Sequence, residues 1–124
     1  MVKKYPFLKC DDDYQWTFLD DMKPGWRIAF GIQMCDEIRD ELVKHGYLYK
    51  YKLVQVKEKY AELRWRDYGF PKESHINKII KKYENLSLKT CCICGKPAKY
   101  MSLDWICPYC EKCIGDQKFK ELSD

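Results

Sequence analysis

Histidine is scarce in this chain, and its scarcity excludes several chemistries. Only His45 and His75 occur in 124 residues, and neither stands in a cysteine pair. A nuclease of the HNH type needs a histidine beside its metal, and none is placed for it. The H-x-E and P-C-x-x-C elements of a zinc deaminase are missing. So is a glycine-rich phosphate loop. The expectation is a protein that is not an enzyme and takes no small-molecule substrate. No apolar run reaches about 18 residues, so no membrane span is expected. The opening MVKKYPFLKCDDD has no apolar core leading to a small-residue cleavage site, so no signal peptide is expected. Repeats, low-complexity tracts and long linkers are lacking too. The length suits one domain, read as an α+β body over 1–89 with a zinc module over 90–124 packed on it as one unit.

Cysteine, by contrast, is abundant. Six of the eight fall within 90–114, TCCICGKPAKYMSLDWICPYCEKCI. Cys91 and Cys94 bracket two residues, fifteen residues follow, and Cys110 and Cys113 bracket two more. Two C-x-x-C pairs at this separation read as a zinc site. Two thiolates in a tight turn can reach one ion at about 2.3 Å, and two such turns complete a tetrahedron. Gly95 permits the positive-φ turn behind the first pair, and Pro97 stiffens its exit. Four thiolates leave no open position for water, so one structural Zn²⁺ is expected.

Cys92 and Cys107 are surplus. Cys92 lies between ligands and should point away from the ion. Cys107 is the alternative to Cys113 in the second pair. Cys110 and Cys113 are preferred because Pro108 suits a first helical turn. A short terminal helix would then favour thiolate through its dipole. Cys107-Pro108-Tyr109-Cys110 also spells a glutaredoxin-like redox site, but the fourteen residues after Cys110 leave no room for that fold. A zinc pattern without an export signal implies a reducing cytosol, with Cys10 and Cys35 as packing residues.

The net charge of +4 is unevenly spread. Residues 1–46 carry seven basic and nine acidic side chains, residues 47–90 eleven and five, and residues 91–124 five of each. With zinc on four thiolates the total falls to about +2. That permits a nucleic-acid partner without demanding one.

Along the chain, a short strand is expected near 14–19 and a turn at Lys23-Pro24-Gly25. Asp11, Asp12, Asp13, Asp20 and Asp21 form either a solvated loop or an anionic surface for a basic partner. A helix is expected over 27–45, with Ile28, Phe30, Met34, Cys35, Ile38, Leu42 and Val43 inward. Its opposite face carries Asp36, Glu37, Arg39, Asp40 and Glu41, and it stops at Gly46 with His45 as a cap. Residues 47–68 read as a hairpin with Ala61, Leu63 and Trp65 against this helix. Lys57, Lys59, Arg64 and Arg66, beside Lys50 and Lys52, guard an edge or form a binding surface. A second helix is expected over 72–86, with Ile76, Ile79, Ile80 and Tyr83 inward and Lys78, Lys81 and Lys82 outward.

Residues 54–66, VQVKEKYAELRWR, resemble a V-K-E-K-F-G-x-L-R-F segment in small proteins of bacterial and phage genomes. Those proteins also carry T-C-x-x-C-G-x-P, a tryptophan, and then C-x-x-H or C-x-x-C. Thr90, Cys91, Cys94, Gly95, Pro97, Trp105, Cys110 and Cys113 match that pattern. The likeness covers about 47–113 and places Cys107 outside the ligand set. Two departures stand out: Ala61-Glu62 replaces a turn glycine, and Cys113 stands where histidine is common. The first argues against a tight glycine turn; the second suits zinc equally well. The fold implied is α+β with a C-terminal four-cysteine zinc ribbon or treble-clef-like module. The chain looks like a phage-encoded inhibitor of bacterial immunity, of the anti-CRISPR kind that binds the Cas9 nuclease or its guide complex in the host cytoplasm. The other reading is a nucleic-acid-binding zinc protein using the basic hairpin and second helix.

Overall fold

A computed structural model describes residues 2–10 and 16–122 of the chain. The architecture is α+β: among the described residues it has two long helices, the first preceded by a short helical turn, two small antiparallel sheets, and a C-terminal cluster of four cysteines. Asp11, Asp12 and Asp13 lie outside the described residues.

The N-terminal stretch forms two 3-10 turns, Pro6–Leu8 and Phe18–Asp21. The strand expected near 14–19 is reduced, from residue 16 on, to a single bridge between Lys9 and Thr17. The sequence Thr17-Phe18-Leu19-Asp20 explains this. The Asp20 carboxylate accepts the Thr17 amide at 2.8 Å and closes a helical turn instead.

Helix α1 (Pro24–Trp26) runs through a π-helical turn (Arg27–Gly31) into α2 (Ile32–His45). Lys23-Pro24-Gly25 is therefore a helix start, with Pro24 in the first turn where its missing N–H costs nothing. Trp26, Phe30, Met34, Ile38 and Leu42 are all buried and repeat every four residues. That spacing outruns the 3.6-residue period by about 40° per step. The wider π turn absorbs part of the drift and keeps the row on one face. Ile28 and Val43 fall off that row and are exposed, contrary to expectation. Gly46 ends the helix at φ +72°, with its amide bonded to the last carbonyls.

Strands β1 (Lys52–Lys59) and β2 (Glu62–Tyr68) form the hairpin. Its two-residue turn is tight despite lacking glycine: Tyr60 and Ala61 have φ of 53° and 74°. The Glu58 carboxylate steadies it by accepting the Ala61 amide at 2.9 Å. The hairpin's main helical partner is the second helix, α3 (Ile76–Ser87), rather than the first. The cause is the free edge of β2. Leu63 and Trp65 donate their amides to Ser87 Oγ at 2.9 Å and Glu84 Oε2 at 3.0 Å, both on α3.

Helix α3 begins four residues later than expected, because residues 71–75 close a turn in which Ser74 bonds back to the Pro71 carbonyl. Ile76, Ile80 and Tyr83 are buried as the spacing predicts. Glu41 of α2, expected on the solvent face, is buried instead. Its carboxylate accepts the His75 amide at 2.7 Å and sits 3.1 Å from His45 Nε2. Bonding to the His75 amide outweighs burial and holds its carboxyl below the usual range. Glu37 accepts from the Tyr83 hydroxyl and from Lys82, tying α2 to α3 a second time.

The chain closes with β3 (Tyr100–Ser102), β4 (Pro108–Tyr109) and β5 (Phe119–Glu121), ordered β4-β3-β5 and all antiparallel. The expected terminal helix is absent among the described residues. Pro108 is a strand residue opposite Met101, Gly115 turns the chain at φ +58°, and Phe119 stacks near Tyr100 with ring centres 4.4 Å apart.

Candidate metal centre

Each cysteine pair sits in a tight turn. In the first, the Cys91 amide bonds to the Lys96 carbonyl at 2.8 Å and the Gly95 amide returns to the Cys91 carbonyl at 3.1 Å. Gly95 adopts φ +86° there. In the second, the amides of Cys113 and Ile114 both bond to the Cys110 carbonyl. The two turns face one another, and the ligand atoms of Cys91, Cys94, Cys110 and Cys113 all lie within 4.8 Å of one another. Cys94 and Cys110 sulfurs are 3.5 Å apart. A tetrahedron with zinc–sulfur bonds of 2.3 Å has edges of about 3.8 Å, so the spacing fits a metal and exceeds a disulfide bond of about 2.05 Å. The group could hold a divalent ion, and an all-sulfur tetrahedral set favours zinc.

The surrounding groups shift the thiols in opposite directions. Burial opposes ionisation of Cys91, yet the amides of Cys94, Cys110 and Ile93 outweigh it and bring the thiol down to about 7. Cys110 is also lowered: burial works against it, and the Cys113 amide leads the groups that prevail. Cys113 is pushed up to about 12, first by its hydrogen bond with Cys110. Four thiolates cannot share this space without a cation between them; a divalent ion removes that conflict. The donors come from backbone amides in a turn between strands. The helix dipole expected to act on the second pair has no helix to act from.

Cys92 points away from the cluster, as expected, and Cys107 joins it there. The two thiols influence each other's ionisation, raising Cys92 and lowering Cys107, and both belong to the hydrophobic core. Between them they seat the module on the body. The Cys92 amide bonds to the Pro108 carbonyl, and the Gly25 amide to the Cys92 carbonyl at 2.8 Å. Buried Trp26 donates its indole N–H to the Thr90 carbonyl at 3.0 Å. A Cβ on Gly25 would lie 2.0 Å from the Cys91 carbonyl oxygen, and one on Gly95 2.8 Å from the Gly25 oxygen. The helix start and the first cysteine turn thus touch backbone to backbone. The sequence offered Gly25 only as a turn residue; its true role depends on a partner 66 positions away.

The other candidate residues separate into two groups. Asp20 and Asp21 are engaged within the chain: Asp20 with Thr17 and Arg27, and Asp21 with the Trp16 indole. Lys57, Lys59, Arg64 and Arg66 share the outer hairpin face. The register sets Lys57 opposite Arg64, Gln55 opposite Arg66 and Lys59 opposite Glu62. Glu62 pairs with Arg64 at 3.1 Å.

No family model, curated protein or solved structure matches the chain. Among the described residues, no helix is long and apolar enough to cross a membrane.

Proposed function

We propose that the chain is a non-enzymatic binding protein whose C-terminal module is held by one structural zinc ion. The convergence of Cys91, Cys94, Cys110 and Cys113 supports this reading above all. Four sulfur ligands would leave the ion no open position, so the ion would organise the fold and take no part in chemistry. The module is joined to the body through Gly25, Trp26 and Thr90, so order at the metal reaches the helices. The purified chain is expected to carry about one zinc per molecule, and chelation should lower its melting temperature sharply. A fully stable chain without stoichiometric metal overturns the reading.

The choice of partner is motivated by the resemblance in 47–113. The reading extends to a phage-encoded inhibitor of a bacterial defence complex, binding Cas9 or its guide complex and obstructing nucleic-acid loading. Retention by immobilised Cas9 and protection of target DNA are the expected results. Absence of both rejects that partner and leaves the metal reading intact.

A second reading is favoured by the hairpin register, which lines Lys57, Lys59, Arg64 and Arg66 along one face with exposed Tyr68. Direct nucleic-acid binding there would weaken steeply with salt. No gel shift at low salt ends it.

A further inference from the structure

Hairpin tip and zinc module meet at a surface cleft of about 300 Å³, lined by Glu58, Tyr60, Asp104, Trp105 and Ile106. Two aromatic side chains stand open there: Tyr60 and Trp105 are each 74% exposed, and Ile106 is 45% exposed. Trp105 sits in a loop whose base is closed by hydrogen bonds. Buried Ser102 accepts the Cys107 amide at 3.0 Å through its hydroxyl, which also donates to the Trp105 carbonyl, and the Ser102 amide bonds back to the Cys107 carbonyl. The loop between β3 and β4 is thus tied at its base while its largest side chain stays in water. A tryptophan left 74% exposed contributes little to folding.

The charged side chains lining the cleft are both carboxylates, on Glu58 and Asp104. Lys59 approaches only the ring of Tyr60, at 5.8 Å from its centre. Aromatic faces beside carboxylates attract a cation that is flat and weakly hydrated.

The geometry points to a binding site for an arginine side chain of a partner protein, stacked on Trp105 and paired with Asp104 and Glu58. This deepens the reading of the chain as a protein-binding module and rests on it. The occupant is a guanidinium because it can stack and pair at once, whereas a lysine ammonium is a compact point charge.

The test is an NMR titration of the zinc-loaded chain with the peptide acetyl-Gly-Gly-Arg-Gly-Gly-amide, and with its lysine and citrulline counterparts. The arginine peptide is expected to move the Trp105 indole and Tyr60 ring signals saturably, the lysine peptide less, and the citrulline peptide least. Trp105→Ala and Asp104→Asn should each weaken the arginine peptide about two- to five-fold. Both positions are exposed, so both variants should keep the folded spectrum and the metal. No movement at the cleft, or equal movement with citrulline, overturns the proposal. So do Trp105 signals that follow protein concentration instead of peptide, which mark self-association at this face. The titration stands apart from the Cas9 pull-down: a chain that ignores Cas9 can still take the arginine peptide, and one that binds Cas9 can still fail here.

Discussion

Single residues divide sharply by what surrounds them. Eight cysteines look alike in the sequence, yet four converge on one point while Cys92 and Cys107 face the core. Replacing Cys91 or Cys110 with alanine should abolish stoichiometric zinc and remove several kcal/mol of stability. Cys107→Ala should keep the metal and lose roughly 1 kcal/mol of packing. Elemental analysis with thermal melts separates the cases. Glu41 is the second such residue, a helix-face acid turned into the acceptor for the start of α3. Glu41→Ala strands the His75 amide and should cost about 1–3 kcal/mol. Its carboxyl is held below its ordinary value of 4.5, so it stabilises the fold above that value. That contribution fades as pH falls through the lowered value. The gap between wild type and Glu41→Ala in denaturant melts should therefore narrow in the acid range.

At the scale of elements, the hairpin turn carries strain that its sequence could relieve. Tyr60 and Ala61 both occupy positive φ, where a side chain other than Asn or Gly costs about 1–2 kcal/mol. Tyr60→Asn with Ala61→Gly should stabilise the chain by about 1 kcal/mol, read from denaturant midpoints. A loss instead would show that Ala61 matters more through its burial than through its backbone. Element type was legible where one periodicity dominated: Ile76, Ile80 and Tyr83 marked α3, and Leu63 with Trp65 marked β2. It was not legible where a tertiary partner overrode local preference. Pro108 reads as a helix start in isolation, yet pairing with Met101 makes it a strand residue. The i+4 row from Trp26 to Leu42 reads as one plain helix, and only a common core requires the π turn that keeps it aligned.

For the whole molecule, the junction between body and cysteine module is the feature on which the proposed role depends. Gly25→Ala would drive a methyl group into the Cys91 carbonyl and should destabilise by about 3 kcal/mol. Gly31→Ala is the control: its nearest neighbour is Leu19 Cδ2 at 3.4 Å and its backbone is helical. It should be neutral or stabilise by up to about 1 kcal/mol. Loosening at Gly25 should also weaken metal retention, read by competition with a chromophoric chelator. Sequence alone determined the α+β class and the two C-x-x-C pairs, because thiolate spacing and apolar period are local properties. Tertiary structure alone decided which acids are spent inside the fold, where Cys107 faces, and that Trp105 stands beside Tyr60. Those outcomes depend on contacts between residues far apart in the chain, which no local pattern records.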